Sequence, residues 1–338
     1  MKQFRFILFL LFLNLCTSQA SILIVSNISS GASVYSAFDS AMAAANTGDT
    51  IYLQAIPSNI DITIKKGITV IGRGYAPDVQ NQIPTQLGNI FLDAGVSNVT
   101  VSGIKFNMFQ FGSNNNFVHL SRCFLNVVYL ASYVTNSSIS NCIFTGGNSI
   151  YAGTTPCNSL PVGIASLSIM NNIFYGNIYS LPGNNHTIKN NLFFGSLFYA
   201  FAGCGFDSPT LVQNNIFYGA DPIQPLGIFQ NNIGFSPPGS GVSNLGGSNL
   251  DSINPMFVNV PLNSTSFSFA NDYHLQSNSP GHNAGTDGTD IGIYGGNIEV
   301  NLTGEPLGIP VIRKMDVQNF NVPANSTINV HVKSTNPR

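Results

Sequence analysis

Charged side chains, which would carry acid–base chemistry, are sparse in this chain. Only 8% of its 338 residues are charged. Between positions 94 and 250 the Lys, Arg, Asp and Glu residues are Lys105, Arg122, Lys189, Asp207 and Asp221. Proton abstraction from a sugar and hydrolysis of a glycosidic bond both require acidic or basic groups held close together. The sequence therefore predicts no catalytic residue in this stretch.

Two carboxylates near the C-terminal end are candidate metal ligands. Asp287 and Asp290 lie in the segment Gly285-Thr-Asp-Gly-Thr-Asp290. Carboxylate and carbonyl oxygens are the ligands that Ca²⁺ prefers, but Asp in a Gly-rich segment also serves to form turns. We expect a turn and no resident cofactor, with calcium as the alternative. His274 and His282 flank this segment without metal-ligand spacing, and we interpret them as structural hydrogen-bonding groups.

Seven segments along the chain share one pattern: an aliphatic residue, three intervening residues that often include two small or amide residues, and a hydrophobic pair. Examples are Ile169-Met-Asn-Asn-Ile-Phe174 and Ile188-Lys-Asn-Asn-Leu-Phe193. Successive segments begin 17 to 30 residues apart. A repeat of about 20 residues without helical periodicity is typical of a β-solenoid, in which each repeat forms one coil. The repeat length allows three short strands and three bends per coil, which predicts an all-β fold with three parallel sheets.

The pattern also predicts the interior of the coil. Side chains two apart on a strand share a face. Ile139, Ile169, Ile188 and Val212 should therefore stack in one core column, and Phe144, Phe174, Phe193 and Phe217 in another. Asn tolerates the left-handed backbone of a tight bend, and stacked Asn amides can bond from coil to coil. The Asn pairs are therefore predicted to form a ladder.

Aromatic side chains beside the core column form the candidate ligand site. By strand alternation, the flanking positions Tyr175, Phe194 and Tyr218 should point outward on successive coils. A contiguous exposed aromatic strip marks an interaction surface. The alternative is that the following glycines, Gly176, Gly195 and Gly219, mark bends that bring these side chains under a loop such as 197–209.

The termini differ in character from the repeats. Residues 1–20 have a basic start, an apolar run and a small-residue cleavage site, which predicts a signal peptide. An amphipathic helix within 33–45 should cap the open end of the solenoid, which extends over 21–308. Residues 309–338 alternate apolar and polar residues, like an appended strand extension. Export permits disulfides. Cys123 and Cys142 occupy the same place in consecutive repeats, so they either form a disulfide or stack as thiols.

The closing segments carry a resemblance to a known family. The Gly48-Asp-Thr-Ile51 cap, the Asn-Asn-Ile-Phe coils and the Tyr273-His-Leu-Gln276 and Asp290-Ile-Gly292 closure resemble secreted right-handed parallel β-helix proteins of the pectate-lyase-like superfamily, in a set common in Bacteroidetes-type bacteria. The resemblance covers roughly residues 22–310. It implies a right-handed helix. It also implies that an enzyme of this kind would use Lys or Arg with calcium-bound carboxylates.

The charge pattern leaves three functions open. Lys105 and Arg122 fall at different positions of the repeat, and no carboxylate accompanies them. We therefore expect a non-catalytic binding module, secreted or at the cell surface, that contacts a polysaccharide or a surface protein. The alternatives are a polysaccharide lyase or glycoside hydrolase, and a structural shaft. A net charge of −2 gives no reason to expect a nucleic-acid partner, and no apolar stretch of the mature chain is long enough to span a membrane.

Overall fold

The fold is built from parallel strands of two to six residues that repeat once per coil. The computed structural model describes residues 20–26, 32–54, 58–76, 83–152, 160–195, 199–222, 224–238, 240–262, 264, 267–306, 311–317 and 330–335. Their strands form three long parallel sheets, called A, B and C in the order in which a coil passes through them. The molecule is a right-handed parallel β-helix, as the sequence predicts.

In each sheet the strands lie side by side, one coil after another, from the N-terminal end of the solenoid to its C-terminal end. Those of sheet A are, in this order, Val34–Tyr35, Ile22–Val25, Thr50–Leu53, Thr69–Gly72, Ser97–Ser102, Asn116–Ser121, Ser138–Ser140, Ser168–Met170, Thr187–Lys189, Thr210–Gln213 and Gly227–Gln230. Those of sheet B are Phe124–Leu125, Ile143–Phe144, Ile173–Phe174, Leu192–Phe194, Ile216–Tyr218, Ile233–Phe235 and Leu250–Asp251. Those of sheet C are Ile62–Ile64, Asn89–Leu92, Met108–Gln110, Val127–Leu130, Asn148–Ala152, Asn177–Leu181 and Phe201–Phe206.

The interior columns confirm the predicted register. Ile139 pairs with Ile169, which pairs with Ile188, which pairs with Val212, and all four are buried. The rings of Phe144, Phe174, Phe193 and Phe217 stack with centroids 4.8, 4.8 and 5.1 Å apart. These distances match the spacing of neighbouring strands, so each coil contributes one ring to a continuous core.

The two residues of each Asn pair have different structural roles. The first takes the left-handed backbone of the bend between sheets A and B, as at Asn171 and Asn190, with φ of 55° and 56°. The second forms the buried amide ladder. Its side-chain amides donate to the next Oδ1 at 2.9–3.0 Å along the column Asn172, Asn191, Asn215, Asn232 and Asn249. The prediction of a ladder is confirmed, but only one Asn of each pair belongs to it.

The N-terminal end of the core is covered by a short helix, α1 (Phe38–Ala44). Phe38, Ala41 and Met42 are buried against the core. Lys66 Nζ donates to the carbonyls of Met42, Ala43 and Ala45 at 2.6–3.2 Å. A cation there satisfies carbonyls that the helix leaves unpaired and opposes the negative end of its dipole. The predicted capping helix is present, though shorter than the amphipathic pattern.

The C-terminal part of the chain returns along the outside of the coils. Strands Phe257–Asn259 and Asp272–Leu275 pair antiparallel and are called the closing hairpin. Residues 281–305, called the strap, then run back over the bends between sheets A and B. Asn231 donates to the Ala284 carbonyl, Asn171 to that of Ile293, and Asn141 to that of Glu299. The strap therefore crosses one coil after another toward the N-terminal end.

The domain boundaries stay predictions. The predicted signal peptide, residues 1–20, lies almost wholly outside the described residues. Within the predicted extension, Val311–Val317 and Val330–Thr335 form an antiparallel pair. Cys204 is disulfide-bonded, whereas Cys123 and Cys142 are free and buried. Those two cysteines therefore stack as thiols, one of the two alternatives for them, and Cys157 lies outside the described residues. No helix in the described part of the chain is long and apolar enough to cross a membrane.

Candidate functional site

Three tyrosines lie in a row on the outer face of sheet C. The rings of Tyr129 and Tyr151 have centroids 5.3 Å apart, and those of Tyr151 and Tyr179 are 5.1 Å apart. Tyr129 is 38% exposed, and Tyr151 and Tyr179 are partly exposed. We call these three residues the tyrosine ladder. It presents a row of aromatic side chains, each with a hydroxyl group, at the protein surface.

Strand alternation positions the ladder. The residue before each tyrosine, Val128, Ile150 or Ile178, is buried in the core, so the tyrosine points to the opposite face. Parallel pairing joins Tyr129 to Tyr151 and Tyr151 to Tyr179. Each ring thus lies about one strand spacing from the next. The Tyr151 and Tyr179 rings stack at an interplanar angle of 18°, whereas the Tyr129 ring meets that of Tyr151 edge to face at 69°.

The outward column continues beyond the ladder at both ends. Toward the N-terminus it contains Gln110, Phe91 and Thr63, and toward the C-terminus Ala202. Gly203, with φ of 67°, follows Ala202, and a Cβ there would lie 2.7 Å from the Tyr179 ring. A glycine is needed at that position because any side chain would collide with the last ring of the ladder. The tyrosine ladder is therefore bordered by the Gln110 amide on one side and by a close backbone contact on the other.

The aromatic strip expected at Tyr175, Phe194 and Tyr218 is not exposed. Phe194 and Tyr218 are buried, with 0% and 2% of their surface exposed, and Tyr175 is partly buried. The rings of Phe194 and Tyr218 stack at 4.9 Å, and Tyr218 Oη donates to the Leu262 carbonyl at 2.7 Å. Burial raises the pKa of both Tyr175 and Tyr218. The expectation of an exposed strip here is therefore wrong.

Residues from the C-terminal part of the chain cover these side chains. A second core forms between the outer face of sheet B and residues of the closing hairpin and strap: Phe257, Tyr273, Leu275, Ile291 and Ile293. The alternative interpretation of the sequence was that another segment covers these side chains, and the structure does show a covering segment. The segment is the closing hairpin and strap rather than the loop 197–209.

The two cations of the central coils lie in different surroundings. Arg122 takes the left-handed bend position, with φ of 49°, one coil before Asn141. Lys105 pairs with Phe124 on the outer face near sheet B, and its Nζ lies 5.6 Å from the Phe124 ring centroid. They occupy different columns, as predicted. Neither forms a salt bridge with a described residue at N···O distances up to 4.0 Å.

Lys105 borders a polar cavity of about 330 Å³ at the bend between sheets B and C. Side-chain amides line much of it. Asn126 donates to Asn107 at 2.7 Å, and Asn107 donates to Asn89 at 3.1 Å, forming a second, exposed amide ladder. Asp61 Oδ1 accepts from the backbone N–H of Asn89 at 2.7 Å. The carboxylate is therefore already engaged by the protein, and the cavity offers amide groups and one ammonium group.

Both candidate calcium ligands have protein partners. Asp287 accepts from Lys189 Nζ at 3.0 Å and from the Thr289 hydroxyl at 2.5 Å. The Thr289 hydroxyl and Lys189 lower the pKa of Asp287 to about 2. Asp290 Oδ1 accepts from the backbone N–H of Asn283 and lies 2.8 Å from His282 Nδ1. The described residues contain no group of three or more His, Cys, Asp or Glu side chains placed to hold a metal ion.

The histidines near the closure behave as structural groups. His274 Nδ1 lies 2.6 Å from Asp272 Oδ1, and its ring stacks on Tyr294 with centroids 3.6 Å apart. His282 contacts Asp290 as described above. Both histidines thus orient carboxylates of the closing segments, as interpreted from the sequence.

The tyrosine ladder was missed at the sequence level, although the chain carries a signal for it. The segments Val128-Tyr129, Ile150-Tyr151 and Ile178-Tyr179 each place a tyrosine directly after a β-branched core residue. They follow the Asn-containing motif at irregular distances because a bend separates sheet B from sheet C. Aligning the coils on their third strand as well as on the Asn motif would reveal the column.

Comparisons with known proteins give limited similarity. No protein-family model matches the chain, and no curated protein matches its sequence. Among solved structures, an alginate lyase of the PL6 family, AlyGC, is similar at 17% identity and a TM-score of 0.40 over 75% of this chain. An arginine-to-alanine mutant of the same lyase is similar at 17% identity and a TM-score of 0.33 over 68%. The chain covers 42% and 40% of those two chains, less than half their length.

Proposed function

We propose that this protein is a non-catalytic glycan-binding module that acts outside the cell or at the cell surface. The observation that carries the proposal is the tyrosine ladder, a row of neighbouring, partly exposed rings on a rigid sheet. A polysaccharide chain lying along the β-helix axis would meet a ring at every coil. Export rests on the predicted signal peptide.

The chemistry of the ladder suits sugars. The apolar C–H groups of a sugar ring can pack on the exposed parts of the tyrosine rings, while a tyrosine hydroxyl can form hydrogen bonds. Tyrosines have few rotatable bonds, so immobilising them on binding costs little conformational entropy. Gln110, next to Tyr129 in the same column, adds an amide for a sugar hydroxyl. Shape and hydrogen bonding therefore support a neutral or weakly charged polysaccharide as ligand.

The surroundings of the ladder support binding without turnover. The other described members of its column, Thr63, Phe91, Gln110 and Ala202, include no acidic or basic group. Hydrolysis of a glycoside requires a pair of carboxylic groups, and lyase chemistry requires a positioned base. A polysaccharide on this face would therefore be bound but not cleaved by residues of the column, because none of them can act as an acid or a base at a glycosidic bond.

The test is a glycan array followed by calorimetry on the best ligand. We expect the double variant Tyr129→Ala/Tyr151→Ala to lose binding by at least about tenfold, because two stacking platforms are removed. Phe117→Ala is the matched control, since Phe117 is an exposed aromatic residue on sheet A, 46% exposed. Its binding should be unchanged. Circular dichroism and the melting temperature establish that each variant is folded.

Other outcomes separate the alternatives. The protein is also incubated with acidic and neutral polysaccharides while unsaturated products and reducing ends are measured. Turnover that Lys105→Ala abolishes would replace the binding module with a lyase or hydrolase. Binding that the ladder variant retains would move the site elsewhere on the surface. No binding to any glycan would favour a surface protein as partner or a structural shaft.

A further inference from the structure

The polar cavity at the bend between sheets B and C offers room as well as polar groups. Its volume of about 330 Å³ lies at the lower end of the range for ligand-binding pockets, about 300–1,000 Å³. Asp61, Asn107 and Asn126 line it and are exposed, so a ligand can enter from the solvent. The cavity therefore has the space and the access that a binding site for a small group requires.

The cavity forms where the cover over sheet B ends. Phe124 packs on Phe267 and Phe269, which lie between the two strands of the closing hairpin. Lys105 and Gln86 are the next two residues of the same outward column toward the N-terminus, and both line the cavity. Phe124 is partly exposed and also borders the cavity. Its ring therefore supplies an apolar wall beside the polar groups.

The side-chain amides of the cavity have unused hydrogen-bonding capacity. In the exposed amide ladder, Asn89, Asn107 and Asn126 each donate one side-chain N–H to the preceding coil and accept one hydrogen bond. An amide group has two N–H donors and an oxygen that accepts two hydrogen bonds. One donor and one acceptor position of each amide therefore form no bond with a described residue. Successive amides lie about one strand spacing, ~4.8 Å, apart, so they present a regular row of donors and acceptors.

The cavity also contains one charge of each sign. Lys105 Nζ forms no hydrogen bond or salt bridge with a described residue and lies 5.6 Å from the centroid of the Phe124 ring. The negative charge is the carboxylate of Asp61, whose Oδ1 accepts from the backbone and side chain of Asn89. A ligand with a net charge would meet a like charge in the same cavity, which weakens binding. Hydroxyl groups both donate and accept, so an uncharged polyhydroxyl ligand can pair with groups of both kinds.

The cavity lies beside the tyrosine ladder. Asn126 directly precedes the strand Val127–Leu130, which carries Tyr129. Three residues of a strand span about 10 Å, so Asn126 and Tyr129 are separated by about that distance along the sheet. A polysaccharide on the tyrosine ladder is therefore close enough to place one of its sugar residues in the cavity.

We propose that the cavity binds a single neutral sugar residue at the end of a chain or branch of the polysaccharide on the tyrosine ladder. This inference rests on the proposed glycan-binding function and adds a second point of contact to it. Lys105 and the amides form hydrogen bonds with the sugar hydroxyls, and the Phe124 ring packs against C–H groups of the sugar. Because the two sites are engaged by one molecule, the polysaccharide binds more tightly than either site alone would allow.

The first measurement titrates the full chain with monosaccharides at pH 7 by ligand-observed NMR. The neutral probes are D-glucose, D-galactose and D-mannose, each compared with its uronate and its amino sugar. We expect at least one neutral sugar to bind saturably and both of its charged counterparts to bind severalfold more weakly, because each meets a like charge. Tighter binding of the uronate would assign the cavity to acidic sugars, and tighter binding of the amino sugar would assign it to basic ones. Either result, or no binding of any neutral probe, would overturn the proposal.

Variants locate the binding in the cavity. Lys105→Met keeps a side chain of similar length and removes the ammonium group. It should lower the affinity for the neutral monosaccharide about tenfold, because a charge-assisted hydrogen bond is lost. Asn107→Ala removes one amide of the row and should lower this affinity severalfold. Gln230→Ala is the matched control and should change nothing, since Gln230 is an exposed amide that bonds to the amide of Gln213 on sheet A.

The polysaccharide that ranks first on the glycan array separates this proposal from the proposed function. We expect its affinity to fall in Lys105→Met and in Tyr129→Ala/Tyr151→Ala, whereas the monosaccharide affinity should fall only in Lys105→Met. Native affinity of Lys105→Met for both kinds of ligand, with polysaccharide binding lost in the ladder variant, would overturn the cavity proposal and leave the proposed function standing. Native polysaccharide affinity of the ladder variant, with binding lost in Lys105→Met, would do the reverse. Circular dichroism and the melting temperature establish that each variant is folded.

Discussion

The buried asparagines show how much a single side chain can contribute in this fold. Asn191 Nδ2 donates to the carbonyl of Ile169 at 2.9 Å and to Asn215 Oδ1 at 2.9 Å. Its own Oδ1 accepts from the backbone and side chain of Asn172, both at 3.0 Å. The neighbouring Asn190 makes only long bonds to the strap, 3.3 and 3.5 Å. The two adjacent asparagines therefore differ in energetic importance.

We expect Asn191→Ala to reduce the free energy of unfolding by about 3 kcal/mol or more. A single buried group left without its partner costs about 1–3 kcal/mol, and this substitution leaves several. Asn190→Gly is the control, because glycine keeps the left-handed backbone and only weak bonds are lost. Asn190→Gly should lower the free energy of unfolding clearly less than Asn191→Ala does. Denaturant unfolding measures the free energy of unfolding of both variants. An equal decrease in the two variants would contradict the conclusion that the amide ladder is a main source of stability.

The core residues could be predicted from the sequence, and the covered face could not. The Ile139 and Phe144 columns follow from strand alternation within a short motif, which is local information. Whether the opposite side chain, such as Phe194, faces water depends on a segment more than 60 residues later in the chain. Nothing in the local pattern contains that information. The apolar character of these outward positions indicated burial or binding, and the structure shows burial.

At the scale of elements, the closing hairpin and strap cover the outer face of sheet B, so that both faces of this sheet are buried. The inner face packs in the solenoid core and the outer face in the second core. Buried on both faces, its strands read as continuous apolar runs such as Leu192–Phe194. Sheet C carries its tyrosines on a face with partial exposure and keeps the alternating pattern. The difference in cover explains why similar aromatic rows have different environments.

This difference predicts unequal effects of removing an aromatic ring. Phe194→Ala should destabilise the protein by about 3–5 kcal/mol, because it leaves a cavity between sheet B and the closing hairpin. Tyr129→Ala should cost less than about 1.5 kcal/mol, since its ring is partly solvated and the change removes mainly one edge-to-face contact, that with Tyr151. Chemical denaturation measures both. If Tyr129→Ala were the more damaging change, the ladder would be a structural element and the binding proposal would lose its basis.

At the scale of the whole molecule, an ion pair joins the strap to the coils. Asp287 of the strap pairs with Lys189 of sheet A. The pKa of Asp287 is depressed from 3.8 to about 2, so it contributes stability that is fully present above about pH 4. That contribution is lost as the pH falls from 4 through 2, because the carboxyl group becomes protonated.

We therefore expect the stability of the native protein to fall between pH 4 and pH 2, and part of this fall to disappear in Asp287→Asn. The pH dependence of the melting temperature measures the effect. Asp93→Asn, at an exposed position, is the control and should keep the native pH profile. An unchanged profile in Asp287→Asn would show that the contacts of the Asp287 carboxylate with Thr289 and Lys189 contribute nothing to the stability of the folded state.

Calcium is a separate test of the same segment. Because Asp287 and Asp290 already accept hydrogen bonds from protein groups, binding an ion would require those contacts to break. We expect no change in melting temperature on adding a chelator or millimolar calcium. A fall with chelator that calcium restores would contradict this expectation and assign Asp287 and Asp290 as ligands.

The strap also bears on the order in which the chain acquires its structure. Coils of a solenoid contact only their neighbours and can wind up one after another as the chain emerges. The strap breaks this locality, since Asn141 meets its partner Glu299 only 158 residues later. Until that segment arrives, the apolar outer face of sheet B lies open to water and to other nascent chains. We therefore expect the strap to dock last, from the C-terminal coils toward the N-terminal coils, and the chain to be most prone to aggregation before the strap docks.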